Sequence, residues 1–138
     1  MKKLIITGAT GMIGSAIVRE SLKQNYDITC LVRASSSRIK NIPQVNHVHI
    51  IDCNISDYKT LELKDKFDVF MHLAWDKTSV SGRDDVDCQL KNIEYTMDAV
   101  RLAKRCGCNI FIGAGSQAEY GIQKVPLTPE LPVNPESG

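Results

Sequence analysis

The stretch Thr7-Gly8-Ala9-Thr10-Gly11-Met12-Ile13-Gly14 follows the apolar run Leu4-Ile5-Ile6 and precedes a helical pattern of apolar residues. Gly8 lets the chain leave a strand through backbone angles closed to other residues, Gly11 lets the backbone approach a pyrophosphate, and Gly14 lets the next helix pack closely. The N-terminus of that helix offers a phosphate unpaired N–H groups and the positive end of the helix dipole. The pattern predicts a dinucleotide-binding turn, which we call the glycine turn (residues 7–14).

Composition narrows the class of protein. The chain of 138 residues is long enough for one domain with a sizeable core, and its formal net charge of +1 gives no electrostatic case for nucleic acid or an anionic membrane. We expect neither a membrane span nor a signal peptide, because the apolar runs are short and the first one ends at the glycine turn. The five cysteines are scattered, and Cys106-Gly107-Cys108 is too closely spaced for a metal-binding pair. We therefore predict no metal and the reduced thiols of a cytoplasmic protein.

Apolar runs alternate with helical patterns along the chain. This alternation predicts right-handed βαβ units and a doubly wound parallel sheet, which is an α/β fold. The predicted strands are residues 3–7, 27–32, 45–52, 67–73 and 109–114, and the predicted helices are residues 11–24, 84–106 and, as a short one, 58–61. Four of the five prolines lie in residues 124–138, so this tail is predicted to be irregular.

The predicted helix over residues 84–106 carries apolar side chains in alternating steps of four and three. They form what we call the apolar stripe: Val86, Leu90, Ile93, Met97 and Val100. Such a stripe is typical of a helix that packs on a sheet, and we interpret it in this way. The acidic cluster Asp84, Asp85 and Asp87 at the start of the helix is interpreted as a set of partners for the helix dipole rather than as metal ligands.

The end of the second predicted strand bears on the choice of cofactor, because the adenosine ribose of a dinucleotide lies there. An acidic residue at this point would bind the ribose 2′-hydroxyl, but the strand ends Leu31-Val32-Arg33, and Arg38 follows. A guanidinium offers paired planar donors to a 2′-phosphate. Arg33 therefore favours NADP over NAD.

Three segments together resemble a known superfamily. The spacing Gly-x-x-Gly-x-x-Gly after a Thr resembles the short-chain dehydrogenases/reductases, whereas a phosphate-binding P-loop would need Lys and Ser or Thr where Ser15-Ala16 stands. The segment His72-Leu73-Ala74 is similar to the cofactor-lining segment of the extended members, which are nucleotide-sugar epimerases, dehydratases and reductases. In those members a Ser or Thr precedes a Tyr-Gly, as in Gly115-Ser116-Gln117-Ala118-Glu119-Tyr120-Gly121. The resemblance covers essentially the entire chain.

The resemblance implies a Rossmann-type sheet of about five strands in the order 3-2-1-4-5 within an NAD(P)-binding domain over residues 1–123. It implies that Ser116 is the catalytic hydroxyl that binds a sugar oxygen, and that Asn92 supports the active site through water. The Asp52 side chain and the Cys53 N–H would meet the adenine edge. The other implied cofactor-binding residues are Gly8, Thr10, Gly11, Met12, Ile13, Gly14, Arg33, Leu73, Ala74 and Trp75. We interpret His72 as a buried, hydrogen-bonded histidine rather than a catalyst.

Chemistry in this superfamily needs a Tyr and a Lys one turn later on the same helix face. The chain offers Tyr120 and Lys124, and we reject this pair because Gly121 follows the Tyr and Pro126 follows the Lys. We therefore expect the N-terminal cofactor-binding part of an NAD(P)-dependent nucleotide-sugar epimerase, dehydratase or reductase, which stops before the sixth strand and the substrate domain and is inactive alone. A non-catalytic NADP(H)-binding sensor or scaffold is the alternative.

We also expect a homo-oligomer. Without the later helix and domain of such an enzyme, part of the sheet and the apolar stripe lose their cover. Exposed apolar patches of this kind tend to be buried by self-association. The nucleotide sugar would be the substrate of the parent protein.

Overall fold

The computed structural model describes residues 1–78, 82 and 84–136. The strands are β1 (Lys3–Thr7), β2 (Asp27–Val32), β3 (Val48–Asp52), β4 (Val69–His72) and β5 (Ile110–Gly113), and the two long helices are α1 (Met12–Lys23) and α2 (Val86–Arg105). All paired strands are parallel, and the sheet order β3-β2-β1-β4-β5 confirms the predicted doubly wound α/β fold. None of the helices in the described residues has the length and apolar character needed to cross a membrane.

The sheet separates two apolar cores. On one face, Ile5 and Phe70 pack with Leu102 of α2, and on the other face Ile6 and Ile28 pack with α1 residues such as Val18. Every residue of β2 after Asp27 is buried. Because both faces of the central strands are covered, β1 and β2 are continuous apolar runs rather than alternating ones, as is usual in parallel sheets.

Two predicted strands begin two or more residues later in the structure and one predicted helix is absent, whereas the other predicted elements agree to within two residues at each end. β3 begins at Val48 rather than Val45, because Val48 N–H donates to the Val45 carbonyl at 3.0 Å in a turn that precedes the strand. β4 begins at Val69 rather than at Phe67. The apolar side chain of Phe67 is buried in the core, as that of a strand residue would be, but Phe67 lies outside the strand. The helix predicted over residues 58–61 is wrong. A 3-10 turn covers Ile55–Asp57 instead, and a capping box between Asn54 and Asp57 closes it.

The apolar stripe faces away from the sheet. Its five side chains are 41% to 68% exposed: Val86, Leu90, Ile93, Met97 and Val100. The interpretation that the stripe packs on the sheet is therefore wrong. α2 contacts the sheet through its opposite face, where the small side chains Ala99 and Ala103 are buried. On α1, likewise, Ile13 and Ala16 are exposed and lie outside the buried face.

The edge strand β5 and the tail complete the described chain. Phe111 stacks on Phe70 with ring centroids 5.5 Å apart, whereas Ile110 and Ile112 on the other face of β5 are exposed. In its described part the tail has no helix or strand. The tail folds back toward Glu119, because the N–H of Asn134 donates to the Glu119 carbonyl at 2.8 Å. The predicted tail also includes residues 137 and 138, which lie outside the described residues.

Candidate functional site

The glycine turn connects β1 to α1, and two of its glycines are closely packed. Gly8 has a φ of +70°, and a Cβ there would lie 2.8 Å from the Leu73 carbonyl oxygen. A Cβ at Gly14 would overlap the Gly8 carbonyl oxygen and lie 2.8 Å from the Cα of Ala9. A Cβ at Gly11 would meet only the Gly8 oxygen, at 3.3 Å. Gly8 and Gly14 therefore fix the shape of the turn, and Gly11 leaves its outer side open.

The N-terminus of α1 lies at this open side. Gly11 is the N-cap residue, no side chain caps the first turn, and no acidic residue lies in it. The first N–H groups of the helix and its dipole then produce a partial positive charge that suits a phosphate. The side chains of Met12 and Ile13 are exposed. Their contribution at such a site would come from their backbone N–H groups.

A cleft of about 700 Å³ runs along the carboxyl ends of the strands. Cavities of this size hold small ligands and cofactors, and ligands of open α/β sheets bind at this edge. Segments that follow four strands line it: residues 8–11 after β1, Arg33 and Arg38 after β2, residues 53–56 after β3, and residues 73–78 after β4. The sheet thus brings together segments that are far apart in the sequence.

The cleft contains most of the predicted cofactor-binding residues. Those that line it are Gly8, Thr10, Gly11, Arg33, Cys53, Leu73, Ala74 and Trp75, whereas Met12, Ile13, Gly14, Asp52, Asn92 and Ser116 are not among its lining residues. Sequence reasoning missed other members, chiefly Asn54, Tyr58, Lys77 and Tyr95. Asn54 lies just beyond the end of β3, a position that could have indicated it, whereas Lys77 and Tyr58 lie five and six positions beyond β4 and β3. No local pattern marks Tyr95, which reaches the cleft from α2.

A hydrogen-bond chain joins β1 to β4 beneath the cleft. The Thr7 hydroxyl oxygen accepts hydrogen bonds from the N–H groups of Leu73 and Ala74, both at 3.1 Å. Both of its lone pairs are then used, so its O–H donates to Nδ1 of His72 at 2.9 Å. The remaining ring proton is on Nε2, which faces the Thr96 hydroxyl at 3.5 Å. Burial lowers the pKa of His72 to about 4, and the interpretation of a buried, hydrogen-bonded histidine is confirmed.

Asn92 is buried in α2 and holds the segment that follows β4. Its Oδ1 accepts from Asp76 N–H at 2.9 Å, and its Nδ2 donates to the Asp76 carbonyl at 3.1 Å. Gln89 links it to the cleft, because the Gln89 side-chain oxygen accepts from Asn92 at 3.2 Å and from the Trp75 indole at 3.0 Å. Asn92 therefore positions one wall of the cleft. Its implied role through water stays a prediction.

The two arginines lie at the other end of the cleft. Arg33 and Arg38 are exposed, and in the described part of the chain no ion pair includes either guanidinium. Asp52 accepts a hydrogen bond from Ala34 N–H at 2.7 Å. The N–H of Cys53, which the resemblance places at the adenine edge, is also engaged, since it donates to the Val32 carbonyl at 3.0 Å. This end of the cleft combines net positive charge with a fixed backbone.

Ser116 lies beyond the end of β5 and is exposed. Its hydroxyl accepts from Ala118 N–H at 3.2 Å and caps the 3-10 turn Gln117–Tyr120. Gly121 follows with a φ of +62°, and Lys124 lies in irregular chain, so Tyr120 and Lys124 share no helix face. This geometry agrees with the reason for rejecting the pair, and the rejection itself stays a prediction.

The cysteines and acidic residues offer little for metal chemistry. Among the described residues, no group of three or more His, Cys, Asp or Glu side chains could hold a metal ion. All five cysteines are free. Burial raises the pKa of Cys53 to about 11, so this cleft cysteine is a neutral thiol at pH 7. It is therefore a poor nucleophile.

A parallel sheet of this order, with a glycine turn and a cleft at its carboxyl edge, is typical of dinucleotide-binding domains. The model of the NAD dependent epimerase/dehydratase family matches residues 4–138, and the chain belongs to this family. This confirms the family that the sequence motifs indicate. The curated UDP-glucose 4-epimerase of Lactobacillus helveticus is 25% identical over an alignment of 136 residues, which covers 96% of this chain and 41% of that protein.

Solved structures of epimerases have the same fold. The UDP-N-acetylglucosamine 4-epimerase from Methanobrevibacter ruminantium M1, in complex with UDP-N-acetylmuramic acid, is 27% identical with a TM-score of 0.80, over 99% of this chain and 45% of that one. The UDP-glucuronic acid 4-epimerase from Bacillus cereus, in complex with NAD, is 24% identical with a TM-score of 0.76, over 98% of this chain and 46% of that one. The chain thus spans less than half the length of each relative.

Proposed function

We propose that this chain is the N-terminal, dinucleotide-binding part of an NAD(P)-dependent nucleotide-sugar epimerase, dehydratase or reductase and is inactive alone. The observation that carries the proposal is the cleft, where the glycine turn, the two arginines and the segment after β4 converge. Membership of the epimerase/dehydratase family supports it, as do relatives whose names specify UDP-sugars and NAD.

The cleft residues suggest how the cofactor would lie. Its pyrophosphate would lie over Gly11, where the N–H groups of Met12 and Ile13 and the α1 dipole stabilise negative charge, and Gly14 allows α1 to begin close by. The adenosine would lie near Arg33 and Cys53, and the nicotinamide end near residues 73–75. When bound, the cofactor supplies a carrier for hydride. The protein supplies binding and orientation.

The charge at the adenosine end supports a preference for NADP over NAD. β2 ends without an acidic residue, and Arg33 and Arg38 both line the cleft. A well-formed bond from a guanidinium to a phosphate contributes about 1.5–3 kcal/mol, which solvent reduces to about 1 kcal/mol for an exposed group. Arg33→Ala should therefore reduce the preference for NADP by roughly fivefold.

Ser116 is the residue that would bind a sugar oxygen. A serine hydroxyl is a poor proton donor, and general acid–base catalysis typically contributes about 10²–10⁴-fold. Tyr120 and Lys124 cannot supply it, because they share no helix face. The described residues also provide no separate domain to position a sugar, and the loss of positioning slows hydride transfer further.

Two measurements test the proposal. In calorimetric titrations, we expect NADP to bind the chain more tightly than NAD, and Gly11→Val to weaken both while circular dichroism stays unchanged. In assays with UDP-sugars and either cofactor, we expect no turnover. Equal cofactor affinity in wild type and Gly11→Val would refute the binding site. Steady turnover that Tyr120→Phe abolishes would refute the inactivity and restore the rejected pair.

The alternative function is a non-catalytic NADP(H) sensor or scaffold. The open reading frame of the parent gene would distinguish it from the enzyme. A Tyr-x-x-x-Lys beyond residue 138 would support the enzyme, and a native stop codon there would support the sensor.

We further infer that the protein is a cytoplasmic homo-oligomer. The five free cysteines support a reducing compartment, and the exposed apolar stripe supports self-association.

A further inference from the structure

The carboxylate of Asp52 is bonded to the loop that follows β2. β2 and β3 pair in register up to Val32 and Asp52, and the N–H of Cys53 donates to the Val32 carbonyl at 3.0 Å. Just beyond this last rung, Asp52 Oδ1 accepts from Ala34 N–H at 2.7 Å. The side chain thereby extends the pairing of the two strands past their ends. It fixes the backbone directly after Arg33.

The other side of this loop is tied to the glycine turn. We call residues 33–38 the arginine loop. Ser36 N–H donates to the Arg33 carbonyl at 3.0 Å, and the Ser36 hydroxyl lies 3.5 Å from the Thr10 hydroxyl. A little further along, Asn41 Nδ2 donates to the Thr10 carbonyl at 3.0 Å. The arginine loop is therefore held between the end of β3 and the turn that would bind the pyrophosphate.

We propose that Asp52 is a positioning residue for cofactor selectivity, because its bond to Ala34 holds the arginine loop where Arg33 and Arg38 can reach a 2′-phosphate. This inference rests on the proposed function. Charge-assisted bonds from guanidinium groups depend on geometry, and a loop that is ordered in advance loses less entropy on binding. Asp52 would thus help to bind an anion that its own charge repels.

This role predicts that Asp52 contributes differently to the binding of NAD and to the binding of NADP. NAD and NADP carry the same adenine, so a residue that contacts only adenine contributes equally to both. A residue that positions the arginine loop contributes mainly to NADP, because only NADP has the 2′-phosphate. The ratio of the two dissociation constants therefore separates the two roles of Asp52.

The test uses the full chain with Asp52→Ala, which removes the acceptor, and Asp52→Asn, which keeps an acceptor oxygen and removes the charge. Asp65→Ala is the matched control, since it removes an exposed carboxylate that pairs with Lys3, outside the cleft-lining residues. Amide hydrogen exchange of Ala34 is measured without cofactor, and affinities for NADP and NAD are measured by calorimetry.

We expect Asp52→Ala to accelerate exchange at Ala34 and to lower the NADP preference roughly fivefold, mainly by weakening NADP. Asp52→Asn and Asp65→Ala should retain both the slow exchange and the preference. Equal weakening of NAD and NADP with unchanged Ala34 exchange would overturn the inference in favour of an adenine contact. Faster exchange with an unchanged preference, or loss of the preference in Asp52→Asn, would overturn it as well.

The same data separate this inference from the proposed function. A wild-type chain that binds NAD as tightly as NADP refutes the proposed cofactor preference and the selectivity role together. A wild-type preference for NADP that survives Asp52→Ala refutes only the role of Asp52. Circular dichroism of each variant shows whether the fold is intact, and loss of the preference in a folded Asp52→Asn variant overturns the inference even if Asp52→Ala is unfolded.

Discussion

Gly14 is packed directly against Gly8, so that a side chain at Gly14 would overlap the Gly8 carbonyl oxygen. α1 can therefore begin this close to β1 only if residue 14 lacks a Cβ. Gly11 lies between them, and its nearest neighbour on the Cβ side is the Gly8 oxygen at 3.3 Å. The glycines of one motif thus have separate roles. Gly8 and Gly14 shape the turn, whereas Gly11 leaves space at the cleft.

This division predicts opposite phenotypes. Gly14→Ala should destabilise the fold by about 1–3 kcal/mol, because backbone must move to admit the Cβ. Gly11→Val should cost less stability, about 0.5–1 kcal/mol because Val is a poor N-cap residue, and should prevent tight binding of NADP. Urea unfolding measures the first effect, and calorimetry measures the second. Gly113→Ala is the matched control, since its Cβ would lie 3.7 Å from Phe111, and it should change neither quantity. Gly11→Val as unstable as Gly14→Ala would contradict the division.

Trp75 should report occupancy of the cleft. It is the single tryptophan of the chain, it lines the cleft, and its side chain is 47% exposed. Reduced nicotinamide absorbs light in the range of tryptophan emission, so bound NADPH should quench Trp75 and gain sensitised emission. Gly11→Val should remove the saturable part of this signal. Quenching no greater than that of free N-acetyltryptophanamide at the same NADPH concentration would show that the nicotinamide does not lie near Trp75.

The sequence predicts the fold well where local residues set an element's ends. β1 and β2 have the predicted bounds, because the glycine turn ends β1 and Asn25, with a φ of +60°, precedes β2. β3 does not, because Val45 is apolar yet half exposed in the turn before the strand. Likewise, the period of the apolar stripe predicts a helix with an apolar face. It does not identify what covers that face.

The residues of the candidate site likewise include some that the sequence predicts and some that it does not. The glycine turn is contiguous in sequence, so its residues can be found there. Contacts that depend on packing cannot be found in this way. Asp52 and Ala34 are 18 positions apart, and only the register of β2 with β3 brings them together. Tyr58 and Tyr95 reach the cleft from a turn and from α2, and neither follows a motif.

The burial of His72 should make stability depend on pH. Its pKa is about 4 in the folded chain, whereas an unperturbed histidine has a pKa of 6.5, so the unfolded chain binds more protons between these values. Stability from neutral His72 is thus present above pH 6.5 and is lost as the pH falls toward 4. From pH 7 to pH 5 this loss is about 2 kcal/mol.

Urea unfolding at pH 7 and pH 5 measures this contribution. His72→Gln, which cannot be protonated, should lose about 2 kcal/mol less than wild type over this interval, although its stability at pH 7 is lower because hydrogen bonds change. His47→Gln alters an exposed histidine and should follow wild type. The same pH dependence in wild type and His72→Gln would show that His72 is not the group responsible.

The apolar stripe of α2 should be covered by a second copy of the chain. Its steps of four and three repeat every seven residues, which is the spacing that packs one helix along another. At hundreds of micromolar, light scattering should therefore show a dimer or larger species. Leu90→Lys and Ile93→Lys should shift it to monomer, because a charged side chain is costly to bury in such a contact. Glu94→Gln changes the net charge by the same amount on the same helix and should leave the assembly intact. A wild-type chain that remains monomeric at this concentration would refute self-association. If Glu94→Gln dissociates the assembly as completely as Leu90→Lys, the assembly depends on charge rather than on the apolar stripe.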